Sequence, residues 1–389
     1  MSGADTTAAN LRPEARLLIE SVLNVPGPLP HDLSTLSLTT TLGAADEHRV
    51  APAVYRRIRD QSPPDAWENA FAMTRHQQLI RHMRTRAELE QLTRTLASHG
   101  IPSVVAKGPV AADVIWPHPD MREYHDLDLF VRASQFEDAL DVLLRSGCTL
   151  VDLNWPELAQ TMRAEVALLG PLGTPIDLHW HMAVPPELRR AFAVDMEAML
   201  DRARSIEVGN GLRIRTFDEI DTVLHLAFHA AQAGASKLMW AGDIHYALQA
   251  PGFDTAEFWR RAAEYRITRP VSLVLWRVAS ALGDSSRPDV YAALDSGGAW
   301  GTVVRRLSAN RPFPALPVDS HAGGNLIGGA RSTAVGSAVA TARSAIRIRM
   351  IERRLRRRGA EERTLHRDIA DEKARRRYLV AVRAEGDAS

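Results

Sequence analysis

Two aspartates, Asp126 and Asp128, stand two residues apart at the start of the apolar run HDLDLFV. Alternate residues of a strand point the same way, so these carboxylates would project from one face, roughly 6 to 7 Å apart. The run TPIDLHWH repeats the pattern, with Asp177 and His179 on one face. If the two strands are neighbours, three carboxylates converge into an oxygen-rich site that suits Mg²⁺ or Mn²⁺ together with substrate phosphates. Such ions activate an attacking oxygen and neutralise a leaving pyrophosphate.

Three residues upstream have the chemistry of phosphate binding. Lys107 and Gly108 lie where the β-branched run IPSVVAK ends and a short helical segment begins. A glycine lets a phosphate approach the backbone, a helix start attracts anions, and an ammonium adds a point charge. Arg122, four residues before Asp126, offers a fork of donors to an anionic oxygen. A D-x-D pair alone fits the polar trim of an exposed strand better than a site, and its combination with these cations and the later Asp177 favours a site.

Four histidines and a lysine have open roles. His179 shares a strand face with Asp177. It could hold a metal-binding carboxylate from outside or accept a proton, or it could be a buried histidine that is hydrogen-bonded to a neighbour. His225, His229, Lys237 and His245 fall on helical segments. They line a pocket for a nucleotide or acceptor, with Lys237 as a substrate contact, or they simply pack between helices. A zinc site would need three or four converging ligands, and the sequence offers no completed set.

The elements that must position these residues divide the chain into five stretches. Residues 1–100 predict a helical lobe, 101–217 a mixed α/β core of short strands and helices, and 218–310 a C-terminal helical region. Residues 311–342 are rich in Pro, Gly and Ser and predict a linker or loop, and residues 343–389 predict a basic helical tail. The fold class is therefore α+β, with a small mixed sheet flanked by helical regions on both sides.

Local signals fix several boundaries. A long helix is predicted between the proline pair at 63–64 and Gly100, with His82 on its solvated, Arg-rich face. A second helix has its start signal at Ser134, with a glutamate three residues later. The Asn-Gly dipeptide at 210–211 predicts the turn of a β-hairpin.

Composition limits the class of protein. The 389 residues are 45% hydrophobic and 24% charged, which is typical of a globular protein with a real core. The single cysteine, Cys148, rules out an intramolecular disulfide framework and agrees with a reducing compartment. The first residues lack a basic start followed by an apolar stretch, and no run is long enough to span a bilayer. We therefore expect a cytoplasmic protein without a membrane span.

Charge is distributed unevenly along the chain. Between Arg343 and Arg383 there are 15 Lys and Arg against 6 Asp and Glu, a local charge of +9, which leaves −8 for the rest. Such a tail binds nucleic acid or an anionic membrane surface by charge, forms a solvated helix face, or docks onto the acidic body or a second subunit. Aromatic residues for base stacking are almost lacking there, so nucleic-acid binding is not favoured.

The order K-G, then R-x-x-x-D-x-D, then I-D-L-H-W resembles an uncharacterised nucleotidyltransferase family within the DNA polymerase beta-like nucleotidyltransferase superfamily. The segments EHRVAPAVYRRI and LHLAFHAAQAGASKLMWAGDIHYAL resemble its N-terminal and C-terminal helical signatures, and the resemblance covers residues 20–270. It implies a small mixed sheet with flanking helices, and metal carboxylates at Asp126, Asp128 and Asp177. The broader superfamily has Gly-Ser at the first strand-helix turn, where this chain has Lys107-Gly108.

Three functions are consistent with these patterns. The first is metal-dependent transfer of a nucleoside monophosphate from a nucleoside triphosphate to an unidentified hydroxyl or phosphate acceptor. The second keeps the fold and metal but uses another activated donor, such as a nucleotide sugar, to tailor a peptide or small natural product. The third is a non-catalytic nucleotide-binding protein or toxin-antitoxin component, against which the retained carboxylates argue. The expected partners are thus a nucleotide or nucleotide-activated donor and a small-molecule or peptide acceptor.

Overall fold

Helices form the N-terminal part of the chain. A computed structural model describes residues 11–209, 211–283, 286–291, 298–308, 313–317, 325–343, 364–369 and 371–387. The first four α-helices are α1 (Pro13–Val22), α2 (Leu38–Glu47), α3 (Ala51–Ile58) and α4 (Asp65–Ser98), with 3-10 turns at Leu33–Thr35 and Arg59–Gln61. The first three pack together in the larger of two hydrophobic cores.

Helix α4 confirms the predicted long helix. It begins directly after Pro64, whose ring fixes an extended backbone before the first turn. It ends at Ser98, and Gly100 follows at φ +72°, a left-handed conformation that glycine adopts without strain. Three leucines of its C-terminal half are buried: Leu89, Leu92 and Leu96.

Polar side chains of α4 also face inward, which the sequence did not predict. His82 is buried, with Nδ1 2.8 Å from the Tyr124 hydroxyl and Nε2 3.1 Å from an Asp113 oxygen. The expectation that His82 lies on a solvated face is therefore wrong. Glu88 is fully buried and accepts hydrogen bonds from backbone N–H groups in the turn that precedes Pro175. Because each polar group has a partner, the helix can bury this face.

A five-stranded mixed sheet forms the centre of the fold. Its spatial order is β1-β2-β5-β4-β3, in which β2 and β5 run parallel and all other neighbours run antiparallel. The strands are β1 (Val104–Ala106), β2 (Leu127–Phe130), β3 (Thr149–Leu150), β4 (Glu165–Leu169) and β5 (Pro175–His179). With about 60% helix around it, this sheet confirms the predicted α+β class.

Short elements connect the strands. After β1, one α-helical turn, α5 (Gly108–Val110), continues as a π-helical turn over Ala111–Ile115. Helix α6 (Phe136–Arg145) begins after a 3-10 turn at Ala133–Gln135, and its N-cap is Gln135, without a side-chain cap, so the start signal at Ser134 is displaced by one residue. The remaining elements before the C-terminal helices are α7 (Trp155–Thr161), α8 (Pro186–Ala191), α9 (Met196–Asp201), β6 (Arg204–Val208) and β7 (Leu212–Thr216). Strands β6 and β7 pair antiparallel and confirm the predicted hairpin.

The next helices cover one face of the sheet. Side chains of this face, such as Ala106 and Phe130, belong to the core formed with the N-terminal and C-terminal helices. Side chains of the other face, such as Leu129 and Leu178, form a second core with α4 and α6. The covering helices are α10 (Glu219–Gln232), α11 (Leu238–Ala247), α12 (Thr255–Glu264) and α13 (Thr268–Leu282), followed by α14 (Pro288–Tyr291), α15 (Gly298–Ser308) and α16 (Asn325–Gly328).

Part of the stretch predicted as a linker packs against the body. Leu316, Ile327 and Ala330 are buried in the larger core. A last helix, Glu372–Asp387, called the C-terminal helix below, lies against α6 and α7. Much of the predicted basic tail before it lies outside the described residues. None of the helices described here combines the length and apolar content needed to cross a membrane.

Candidate metal and phosphate site

Asp128 lies at the centre of a buried polar cluster on β2. One carboxylate oxygen, Oδ1, lies 2.8 Å from the Lys107 ammonium and 3.2 Å from His179 Nε2. The other oxygen, Oδ2, is buried and has no hydrogen-bond partner among the described residues. Burial alone would raise the pKa of Asp128, but the Lys107 charge and the His179 hydrogen bond hold it well below its usual range. Asp128 is therefore a carboxylate throughout the neutral range.

Asp177 stands beside Asp128 because β2 and β5 are adjacent parallel strands in register at these two residues. Together with His179, they each offer a ligand atom, and these atoms all lie within 4.8 Å of one another. Burial raises the pKa of Asp177 to about 7, and nearby carboxylates reinforce the rise. A divalent cation held by these atoms would favour the ionised form of Asp177.

Asp126 lies immediately before β2 and is half-buried. Its charge helps to raise the pKa values of Lys107 and Asp177, so it acts on the same cluster. The set of three mutually close ligand atoms comprises Asp128, Asp177 and His179 and does not include Asp126. The structure thus brings two of the three predicted carboxylates together in one ligand set and leaves Asp126 at its edge.

His179 joins the cluster from the end of β5. Its ring stacks on Phe130 with the centroids 4.6 Å apart, and Nδ1 lies 3.4 Å from a Glu165 oxygen on β4. Burial would lower the pKa of His179, but the Asp128 hydrogen bond and the Glu165 carboxylate raise it above its usual value. Glu165 was not singled out in the sequence, although strand pairing places it directly opposite His179.

Lys107 occupies a strained position at the end of β1. Its backbone has φ +51°, which is uncommon for a residue with a side chain, and Gly108 follows at φ +37°. The buried ammonium donates to Asp128 and lies 3.4 Å from His229 Nδ1. Burial would lower its pKa, but the carboxylates of Asp128 and Asp126 raise it. The lysine charge that the sequence assigned to a phosphate is thus directed at the aspartate cluster.

Gly108 has little room for a side chain. A Cβ at this position would lie 3.2 Å from the backbone oxygen of Asp126, tighter than most real contacts. Together with the positive φ, this crowding favours glycine, and it brings the turn after β1 against the start of β2.

Arg122 is fixed by a bidentate ion pair far from its position in sequence. Nε and Nη2 donate to the two carboxylate oxygens of Asp243 on α11 at 2.8 and 2.9 Å, and Trp116 Nε1 donates to the same carboxylate at 2.6 Å. The arginine is buried, and Nη1 has no partner among the described residues. Most of the fork predicted to grip an anionic oxygen therefore anchors the loop before Asp126 to the helical layer.

Lys237 faces the N-terminal lobe. Its ammonium donates to the Glu47 backbone oxygen at 2.8 Å and lies 3.4 Å from a Glu47 carboxylate oxygen.

The other open candidates, three histidines, differ in their surroundings. His225 packs edge-on against Phe130 and His229 contacts Lys107, so both reach the cluster, whereas His245 contacts Gln249.

The two histidines of α10 that reach the cluster are neutral. Burial and the Lys107 charge lower the pKa of His225 to about 3 and hold that of His229 well below its usual value. A neutral His229 leaves Nδ1 free to accept a hydrogen bond from the Lys107 ammonium, which agrees with their 3.4 Å separation. Helix α10 thus supplies acceptors and apolar ring surface, not charge.

The mixed sheet carries the paired strand aspartates on the face that the helices cover. A family model described as an uncharacterised nucleotidyltransferase matches residues 37–283, more than half of the chain. The chain belongs to this family, as the motif resemblance predicts. The match contains the whole aspartate cluster and ends before the C-terminal helix. A comparison with curated proteins found no match.

Proposed function

We propose that this protein is a metal-dependent nucleotidyltransferase that moves a nucleoside monophosphate from a nucleoside triphosphate to a hydroxyl or phosphate acceptor. The main support is the in-register pairing of Asp128 with Asp177, together with the buried, unpartnered Oδ2 of Asp128. Buried polar atoms are normally satisfied, so an unpartnered carboxylate oxygen beside a second carboxylate favours a cation as its partner.

The side chains of the cluster fit Mg²⁺ or Mn²⁺. Asp128 and Asp177 are hard oxygen ligands, and the charge of Asp126 acts on the same cluster from its edge, so its role as a third ligand stays a prediction. An imidazole nitrogen suits these ions less, so we assign His179 to holding Asp128 through its Nε2–H. When bound, the metal would polarise phosphoryl oxygens and neutralise charge on the leaving pyrophosphate.

The chain's own residues would have three supporting roles in this proposal. Lys107 keeps Asp128 ionised and oriented, Gly108 lets the turn after β1 pack closely against the start of β2, and Arg122 fixes the loop that carries Asp126. Phosphate binding at Gly108 stays a prediction. Nη1 of Arg122 remains available for an anionic oxygen. A substrate contact by Lys237 stays a prediction, and its ammonium would have to leave Glu47 to make it.

The acceptor is expected to be a small molecule or peptide. The basic tail is the only run of strong positive charge in the sequence, and its described helix turns its apolar side toward the protein body. Aromatic residues for base stacking are almost lacking in the tail, which gives no support to a nucleic-acid acceptor. The second donor class, a nucleotide sugar, is separated by the following experiment.

The experiment screens nucleoside triphosphates and nucleotide sugars by thermal shift with Mg²⁺ or Mn²⁺. It also follows slow pyrophosphate release from each of the four nucleoside triphosphates, in which water takes the place of the acceptor hydroxyl and the nucleoside monophosphate is the second product. We expect metal-dependent stabilisation by a triphosphate, and loss of both signals in Asp126→Ala and Asp128→Ala with the circular dichroism spectrum unchanged. Asp60→Asn, at a side chain that is 77% exposed, serves as the control. Stabilisation by nucleotide sugars alone, or a doubly substituted protein that still turns over normally, would contradict the proposal.

A further inference from the structure

The C-terminal helix lies outside the family match, yet it packs directly on the domain that carries the aspartate cluster. Its inward residues Ala374, Tyr378 and Val382 recur every four positions and are buried in the second core. Its ion pairs, such as Arg383 with Glu137 at 3.4 Å, are at the surface, where such pairs contribute little. The helix is therefore held mainly by apolar packing, and its basic residues are secondary.

Tyr378 is the polar centre of this interface. The ring is fully buried between Phe136 and Trp155. Its hydroxyl donates to the Arg163 backbone oxygen at 2.7 Å and accepts from Trp180 Nε1 at 3.3 Å. One hydroxyl thus joins the C-terminal helix to two separate points of the central sheet region.

Both points adjoin residues of the cluster. Trp180 directly follows His179 at the end of β5, and its backbone N–H donates to the Ala164 oxygen at 3.0 Å. Arg163 lies two residues before Glu165, and its side chain pairs with the Glu165 carboxylate. The hydroxyl therefore holds together the start of β4 and the end of β5, where these two residues face each other.

From there the contacts lead to the proposed metal ligand. Glu165 and His179 are direct cross-strand partners, with a carboxylate oxygen 3.4 Å from Nδ1. On the other side of the ring, Nε2 lies 3.2 Å from Asp128 Oδ1. A shift at the end of β5 would therefore move the imidazole and, with it, the orientation of Asp128.

We propose that Tyr378 is a positioning residue, through which the C-terminal helix holds His179 in the orientation that aligns Asp128. The proposal rests on the proposed function where it concerns a metal, and on geometry alone where it concerns His179. It assigns the end of the chain beyond the family match a role within the same site.

The test compares Tyr378→Phe with Arg383→Gln in the full-length chain. Phenylalanine keeps the ring packing and removes only the hydroxyl, whereas Arg383→Gln removes a charge on the same helix far from the hydrogen bonds. Two quantities are measured: the nuclear magnetic resonance signals of the His179 ring in the metal-free protein, assigned with His179→Gln, and the Kd for Mn²⁺ by calorimetry.

We expect Tyr378→Phe to shift the His179 ring signals and to weaken Mn²⁺ binding roughly three- to tenfold, below the range for partners that touch a ligand directly. Arg383→Gln should leave both unchanged. Trp180→Phe removes only one of the two hydrogen bonds of the hydroxyl, so it should have a smaller effect in the same direction, and the double variant should be little worse than Tyr378→Phe alone.

Two results separate this inference from the proposed function. If the His179 signals respond to Tyr378→Phe but the unaltered protein binds no Mn²⁺, the positioning role holds and the metal proposal fails. If Tyr378→Phe lowers thermal stability while the His179 signals and the Mn²⁺ Kd stay as in Arg383→Gln, the tyrosine has only a structural role and the inference is overturned.

Discussion

Replacing Lys107 by methionine tests the buried charge balance on which the site depends. The Lys107 ammonium and the Asp128 carboxylate are 2.8 Å apart, with side chains only 12% and 2% exposed. Removing one partner of such a pair leaves an uncompensated buried charge, which costs about 3 to 5 kcal/mol. Methionine is similar in length and apolar, so the change removes the charge and largely keeps the volume. We therefore expect the free energy of unfolding to fall by about that amount.

Urea unfolding followed by far-ultraviolet circular dichroism, at pH 7.5 with EDTA, measures this loss. Lys237→Met is the matched control, because its partner Glu47 is 62% exposed and the pair should contribute less than about 1 kcal/mol. The double variant Lys107→Met with Asp128→Asn removes both charges and should recover much of the stability. A loss below about 1 kcal/mol for Lys107→Met, or no recovery in the double variant, would refute the reasoning.

Three further predictions concern the structure around the site. Arg122→Lys loses the planar bidentate pairing with buried Asp243, so urea unfolding should show a free energy of unfolding lower by about 1 to 3 kcal/mol. An unchanged free energy of unfolding would mean that the ion pair does not hold the loop. Glu88→Gln weakens the acceptor for two backbone N–H groups in the turn before β5, and urea unfolding should show a similar decrease in the free energy of unfolding. Burial raises the pKa of the Cys148 thiol to about 11, above its value of 9 in the unfolded chain. The contribution of the buried neutral thiol to folding stability should therefore be fully present below pH 9 and be lost as the pH rises towards 11, because the unfolded chain loses this proton first. Alkylation of this thiol in native protein at pH 8 should accordingly be far slower than in urea, and equal rates would contradict its burial.

The face of each strand that carries the aspartates follows from the sequence alone. Alternation predicts that Asp177 and His179 project together, and the structure confirms that the two lie in one set of ligand atoms with Asp128. The neighbour relation of β2 and β5 does not follow from alternation, because it requires β3 and β4 to lie on the far side of β5. The family resemblance indicated it only indirectly, by implying that Asp126, Asp128 and Asp177 are metal carboxylates of one site.

The misplaced polar residues share one cause, which is a partner distant in sequence. Arg122 meets Asp243, 121 residues later, and no local pattern marks the pair. His82 is buried only because the chain after β1 brings Tyr124 and Asp113 against α4. Periodicity detects apolar faces, so a polar side chain that is buried with its partner resembles a solvated one.

The C-terminal helix shows a different limit. The high arginine content of the tail obscured a regular apolar pattern at Ala374, Tyr378 and Val382, which the structure shows to be buried. Docking of the tail onto the body is one of the predicted alternatives, and the C-terminal helix does pack against the body. The contacts of this helix with the body are mainly apolar, whereas the prediction of docking rested on attraction between a basic tail and an acidic body.

The central claim is that Asp128 and Asp177 hold a divalent metal, and calorimetric titration of the metal-free protein with Mn²⁺ tests it most directly. We expect one or two ions to bind to the unaltered protein and to Asp60→Asn, and binding to weaken by more than about tenfold in Asp128→Asn and in Asp177→Asn, because each removes a ligand oxygen. Equal Mn²⁺ affinity in all four proteins, or no binding in any of them, would contradict the account.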